Sequence, residues 1–71
     1  MDEQTIQAVY GYIRVYLHQW GYAPSIREIA RECYMSTANV YRYLDWLEAR
    51  GYITRQSGVA RSIRLVEDVA G

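Results

Sequence analysis

Polar side chains crowd the segment 36–42, which reads STANVYR around one branched apolar residue, Val40. If the segment is helical and Val40 is buried, its other six side chains face outward. An arginine guanidinium can bond O6 and N7 of guanine together, and an asparagine amide can bond adenine in the same way. The segment therefore predicts contacts with base edges of duplex DNA. The base-reading candidates are Ser36, Thr37, Ala38, Asn39, Tyr41 and Arg42.

A second group of side chains suits the phosphate backbone. Arg27 and Arg31 lie one helical turn apart, and phosphate contacts position a protein on DNA without specifying sequence. All eight basic residues are arginine, which makes bidentate contacts better than lysine does. A GC-rich genome would give the same bias. The backbone-contact candidates are Ser25, Arg27, Arg31, Arg55, Arg61 and Arg64.

The charge distribution supports a DNA partner although the formal net charge is zero. Four of the eight acidic residues lie near the chain ends, at 2–3 and 67–68. Between residues 4 and 66, eight arginines stand against four acidic residues, which leaves a net charge of +4. The local field decides whether a polyanion is attracted, so duplex DNA remains the expected partner.

Residues typical of enzymes and metal sites are scarce. Cys33 is the only cysteine and His18 the only histidine, so they form neither a metal-ligand cluster nor an internal disulfide. We expect Cys33 to pack as a small apolar residue and His18 to be solvated on the first helix. No catalytic set, cofactor or metal is predicted, and the protein is expected not to be an enzyme.

Length and hydropathy limit the classes of protein to which this chain can belong. Seventy-one residues suffice for a single domain, placed at 1–71. No apolar run approaches the about 20 residues of a membrane span. The acidic start MDEQTIQ lacks the basic and apolar regions of a secretory signal, and a lone cysteine fits a reducing compartment. We expect a cytoplasmic, nucleoid-associated protein with no membrane partner.

Capping signals and helical periodicity predict two helices in the first half of the chain. The first spans about 3–20, between an N-cap at Asp2 and a stop at Gly21. An S-x-x-E capping box, Ser25 with Glu28, starts the second.

A third helix completes a helix-turn-helix pattern. A break at residues 34–35 separates it from the second helix, and Ala30 is small where the two helices must cross closely. Ser36 or Thr37 caps the third helix, which should continue over about 37–50. In this motif the second helix of the pair is the recognition helix and lies in the major groove.

An alternating pattern predicts a β-hairpin at the end of the chain, with strands at 52–56 and 62–66. The loop 56–62 then forms a wing that touches the DNA backbone or the minor groove. A one-residue bridge near residues 22–23 is also expected. Three helices and this hairpin make a mainly α fold, the winged helix-turn-helix.

Three segments resemble the N-terminal DNA-binding domain of LexA repressors. They are GYAPSIREIA at 21–30, YLDWLEARGYI at 43–53 and SGVARSIRL at 57–65. The resemblance extends over residues 6–66. It implies a winged helix-turn-helix, sequence-specific binding of double-stranded DNA and repression of transcription.

The chain departs from that family at three points. Tyr34 occupies the turn position usually held by glycine, and the turn is one residue shorter, so base-reading residues do not transfer directly. The sequence stops after the hairpin and has no lysine, so we expect the family's self-cleaving C-terminal domain with its Ser–Lys pair to be lacking. We expect a regulator that does not cleave itself. A complete small protein is favoured over a fragment, and both stay open.

A second apolar stripe on the first helix predicts a homodimer. It comprises Ala8, Tyr12, Val15 and Tyr16, and a helix with two apolar faces is usually buried on both. Scattered surface tyrosine is the simpler explanation of the same residues. Two other functions stay open: a winged-helix protein-interaction module, and an architectural DNA binder without sequence preference.

Overall fold

Three helices followed by a two-stranded antiparallel sheet make up the structure, a computed structural model that describes residues 1–66. The elements are α1 (Glu3–Trp20), α2 (Ile26–Glu32), α3 (Thr37–Ala49), β1 (Ile53–Thr54) and β2 (Arg64–Leu65). This order confirms the predicted winged helix-turn-helix. The last five residues of the predicted domain 1–71 lie outside the described part.

Side-chain caps fix where the helices begin. Asp2 caps α1 through its carboxylate, and Gly21 ends that helix in a left-handed conformation with φ of 79°. The predicted capping box starts α2: the Glu28 amide donates to Ser25 Oγ at 3.1 Å, and the Ser25 amide donates to Glu28 Oε1 at 2.8 Å. Ser36 is the residue that caps α3. These local signals therefore place all three helices as predicted.

One small apolar core lies where the three helices meet the hairpin. Its buried members are Ile6, Val9, Ile13, Ala23, Ile29, Ala30, Val40, Leu44, Leu47, Ile53 and Ile63. α3 packs against α1, α2 and β1. The core therefore fixes the rotation of α3 about its axis and the direction of its polar face.

The hairpin is shorter than predicted. Two residue pairs form its ladder, whereas the sequence predicts strands at 52–56 and 62–66. Beyond the ladder, the Gln56 amide donates to Ser62 Oγ at 2.9 Å, and the same hydroxyl donates to the Gln56 carbonyl at 3.0 Å. A serine side chain therefore closes the wing where main-chain pairing was expected.

The described residues form one sheet of two strands, and residues 22–23 do not form the expected bridge. The Ala23 carbonyl instead accepts a hydrogen bond from Arg61 Nη1 at 3.0 Å. The prediction of a bridge was wrong for the described residues, and a side chain of the wing contacts this segment in place of a strand.

Candidate nucleic-acid interface

The six predicted base-reading side chains all lie on the exposed surface at the start of α3. Burial of the opposite face sets their direction, since Val40 and Leu44 are 0% exposed and Leu47 is 1% exposed. A helix turns about 100° per residue, so holding these three side chains in the core orients all the others. The structure brings the six candidates to one surface, and their contact with bases stays a prediction.

Around the axis of α3, these candidates divide into an outer line, which lies opposite the buried face, and a flank on either side of that line. Helical geometry places Ala38 and Arg42 farthest from the core. Thr37 and Tyr41 lie on the wing side, where both line an open groove between α2, α3 and the hairpin loop. Asn39 lies on the opposite flank. The outer line suits base edges, and the wing-side flank suits a sugar–phosphate strand.

Ser36 has a structural role at the same surface. Its Oγ accepts a hydrogen bond from the Asn39 amide at 3.1 Å and so caps α3. The cap uses the hydroxyl as an acceptor and leaves its proton available to a second partner. A contact from Ser36 to DNA would therefore be a donated hydrogen bond, to a base acceptor or a phosphate oxygen.

The predicted backbone contacts on α2 and its cap differ in availability. Arg27 and Arg31 are exposed, and Arg27 lines the same groove as Thr37. Ser25 is half-buried, and both its hydroxyl and its amide bind Glu28 in the capping box. The two arginines are thus available for phosphate, whereas Ser25 serves mainly as the cap.

Arg55 turns toward α3. Its guanidinium pairs with Asp45, and its Nε lies 3.0 Å from Glu48 Oε1. Its side chain is 17% exposed, and the guanidinium carbon lies 5.9 Å from the centre of the Tyr41 ring. One arginine at the base of the wing therefore contacts two carboxylates that α3 carries beside the polar surface, and it offsets one of their two negative charges.

Arg61 folds back from the wing onto the helices. Its Nη1 donates to Glu28 Oε1 at 2.9 Å, to the Ala23 carbonyl at 3.0 Å and to the Tyr16 hydroxyl at 3.1 Å. The guanidinium carbon also lies 5.3 Å from the centre of the Tyr22 ring, and the backbone at Arg61 is left-handed, with φ of 55°. These contacts hold the wing against α1 and the start of α2.

Glu28, the acid of this cluster, has a pKa well below its ordinary value. The hydrogen bond from the Ser25 amide, and after it the one from Arg61, lowers the pKa of Glu28 to about 2. The hydrogen bond to Glu28 in turn raises the pKa of Arg61. Both groups are therefore charged at neutral pH, and the anchor of the wing is an ion pair there.

Four exposed arginines supply positive charge around α3 and the hairpin. Among the described residues, no carboxylate pairs with Arg27, Arg31, Arg42 or Arg64. Arg64 faces outward from β2, as predicted. These four charges are available to an anion as far as the described residues show, while Arg55 and Arg61 are already paired within the chain.

The predicted dimer stripe on α1 is partly covered by the chain itself. Ala8 and Val15 are exposed, Val15 by 63%. Tyr12 packs against the core, and the Tyr16 hydroxyl donates to Glu28 Oε2 at 3.3 Å. Because the two tyrosines contact other parts of the same chain, Ala8 and Val15 are the members left for a partner.

Sequence reasoning missed both arginine–carboxylate clusters of the wing. Arg61 stands 33 residues from Glu28, and no periodic pattern connects positions so far apart. A weaker signal existed for Arg55, which stands 7 residues after Glu48. The tight turn at Gly51, with φ of 81°, must bring the end of α3 and the start of β1 close together.

Cys33 and His18 lie close to where they were expected. Cys33 is half-buried, and burial raises the pKa of its thiol, which disfavours the reactive thiolate. His18 is exposed on α1. Within residues 1–66, no group of three or more His, Cys, Asp or Glu side chains could hold a metal ion, and no helix has the length and apolar character needed to cross a membrane.

Known proteins resemble this chain over most of its length. The profile of the family described as LexA DNA binding domain matches residues 4–62. The chain is 41% identical over 64 residues to the LexA repressor of Herpetosiphon aurantiacus, and the matched region covers 89% of this chain and 30% of that repressor. It is 40% identical over 60 residues to the LexA repressor of Clostridium kluyveri (83% and 30% covered). It is 42% identical over 65 residues to that of Geotalea uraniireducens (90% and 32% covered). The chain thus spans about a third of the length of these curated relatives.

Proposed function

The chain belongs to the LexA DNA-binding-domain family, and on that premise we propose that it binds a specific sequence of double-stranded DNA and represses transcription there. The observation that carries the proposal is the exposed polar surface 36–42, whose direction is fixed by the buried side chains of Val40 and Leu44. Arginines without acidic partners in the described residues border this surface. Such a repressor would act at the nucleoid, in the cytoplasm.

In the proposed complex α3 lies in the major groove. Arg42, on the outer line, bonds O6 and N7 of a guanine, and Asn39 bonds an adenine. Ala38 packs against a thymine methyl group. Thr37 and Tyr41, on the wing-side flank, contact phosphate or a further thymine methyl.

The sugar–phosphate contacts come from α2 and the wing. Arg27 and Arg31 hold the strand that α2 crosses, and they position the protein without reading sequence. The wing loop 56–62 lies on the backbone or in the minor groove, where its exposed tip at 57–60 is available. Because Arg55 and Arg61 anchor both ends of this loop, its tip would meet DNA at a fixed distance from α3.

We also propose that two copies bind DNA together through α1. A single domain of this size makes few base contacts, and a two-fold dimer doubles them on a palindromic site. Val15 is apolar and 63% exposed, and Ala8 is exposed on the same helix. These two residues, rather than the partly covered Tyr12 and Tyr16, would lie at the centre of the interface.

Selection of binding sites from random duplex DNA, at near-physiological salt, tests the proposal. An enriched palindrome would support both specific binding and the dimer. An enriched single half-site would support specific binding and count against the dimer. No enrichment by a protein shown to be folded would contradict the proposal and favour the protein-interaction module.

The salt dependence of binding distinguishes the proposed specific repressor from an architectural DNA binder without sequence preference. A non-specific binder loses affinity steeply with salt on every duplex, because counterion release supplies its binding free energy. Titrations of the selected duplex and of a scrambled duplex of equal length would then coincide. We expect the selected duplex to bind more tightly at every salt concentration.

A further inference from the structure

Tyr34 stands out in the turn between α2 and α3. Its side chain is 95% exposed, and its backbone is left-handed, with φ of 56°. The turn is a Schellman motif: the Met35 amide donates to the Ala30 carbonyl at 2.9 Å, and the Tyr34 amide lies 3.4 Å from the Arg31 carbonyl. The motif requires a left-handed residue where Tyr34 lies, and glycine or asparagine adopts that conformation at a lower cost.

The main-chain hydrogen bonds of this motif would form equally well with glycine, and within residues 1–66 the Tyr34 side chain adds no hydrogen bond or ring contact of its own. The Tyr34 ring stacks on no aromatic ring or guanidinium there, and its hydroxyl takes part in no hydrogen bond. The other non-glycine residue with positive φ in the described part is Arg61, whose side chain makes three hydrogen bonds. A bulky side chain that is kept at a strained backbone position, and that contacts nothing in the described part of its own chain, points to a contact outside it.

The position of Tyr34 indicates what that contact is. It follows Arg31 by three residues, just beyond the end of α2, and precedes Ser36, the N-cap of α3, by two residues. Two residues span at most about 7 Å, roughly the length of a tyrosine side chain. The hydroxyl can therefore reach the strand that the start of α3 approaches.

We propose that Tyr34 is a DNA-contact residue, which donates its hydroxyl proton to a phosphate oxygen beside the first turn of α3. The inference rests on the proposed function, since it needs duplex DNA bound at α3. It adds a contact at a position that the sequence marks only as a departure from glycine. Because the donor is neutral and the acceptor is a phosphate, this contact strengthens binding to every duplex alike.

Two variants test the inference, because each should weaken DNA binding without destabilising the fold. Y34N removes the ring and keeps a residue that tolerates the left-handed backbone. Y34F removes the hydroxyl alone. Both should bind the selected duplex and a scrambled duplex about tenfold more weakly than the unchanged protein. The salt slope should not change because no cation is lost, and the Tm of Y34N should equal or exceed that of the unchanged protein.

The outcomes separate this inference from the proposed function. If the unchanged protein binds neither duplex, the proposed function fails and the inference fails with it. If the unchanged protein binds and Y34F binds equally well, the inference alone is overturned. A lower Tm for Y34N would also overturn it, because the ring would then stabilise the fold.

Discussion

Oε1 of Glu28 accepts two hydrogen bonds, from the Ser25 amide at 2.8 Å and from Arg61 Nη1 at 2.9 Å. The first bond caps α2, and the second holds the wing 33 residues later in the chain. One carboxylate oxygen thus links the start of the helix-turn-helix to the hairpin beside it. The relative placement of α2 and the wing, and with it the proposed DNA surface, depends on the charge of Glu28.

The stability of the fold should therefore fall in acid as Glu28 is protonated. Its pKa is lowered from 4.5 to about 2 in the folded protein, so the unfolded chain binds the proton first as pH falls. The stabilisation is fully present above pH 4.5 and is lost as pH falls toward 2. Thermal unfolding followed by circular dichroism between pH 7 and pH 2.5 should show Tm falling through that window.

The variant E28Q isolates this carboxylate from the other acids. It should be less stable at pH 7 by about 1 kcal/mol, since a charged acceptor is replaced by a neutral one, or about 4–8 °C in Tm for a domain of this size. Its Tm should depend less on pH between 4.5 and 2. Parallel curves for E28Q and the unchanged protein would show that Glu28 is not the group responsible.

Loss of the Arg61 side chain should loosen the wing. R61A removes three hydrogen bonds to the helices, and the amides of loop 56–62 should exchange with solvent at least about tenfold faster, as expected for local opening. Affinity should fall on all duplexes by roughly 1–2 kcal/mol. Hydrogen exchange and DNA titration measure the two effects.

R64A is the matched control for the wing. Arg64 lies on the same hairpin, is exposed and has no carboxylate partner in the described residues. Its loss should leave hydrogen exchange unchanged and reduce the salt slope by about one if it contacts phosphate. The same pair of results for R61A would show that Arg61 contacts phosphate directly, as the sequence predicts, and does not mainly anchor the wing.

Local signals explain why the helices were predictable and the hairpin ladder less so. The capping box joins Ser25 to a residue three positions away, and Gly21 ends α1 by its own backbone conformation. Such interactions are readable within one helical turn. The extent of a β-ladder depends on a partner strand, and here the Ser62 hydroxyl competes with the main chain for Gln56.

The part of the candidate site that lies on α3 was predictable from the sequence, whereas the contacts between different elements were not. Burial of Val40, Leu44 and Leu47 orients the polar face of α3, so periodicity suffices to identify segment 36–42. The roles of Arg55 and Arg61 depend on which acids the fold brings to them. Tyr12 shows the same limit, since the periodicity of α1 cannot show that Tyr12 packs against the core.

Sequence reading by α3 should depend on Arg42. R42A should bind the selected site about 1–3 kcal/mol more weakly and relax the preference at one base position, because a bidentate contact to guanine is lost. R50A removes the same charge at the C-terminal end of α3, where Arg50 stacks 4.5 Å from the centre of the Trp46 ring. R50A should keep the base preference. Equal losses for R42A on selected and scrambled DNA would contradict a base-reading role.

Association through α1 should depend on Val15. V15E places a charge at the centre of the proposed interface and should weaken the dimer by roughly 1–3 kcal/mol, since an unpaired charge would be buried. Q7E adds the same charge at an exposed position of α1 outside the stripe and should leave the dimer intact. Tyr16 is unsuitable as a probe because it binds Glu28 and Arg61. Light scattering after gel filtration would give the mass of each protein, and a monomer for the unchanged protein at high concentration would contradict the dimer.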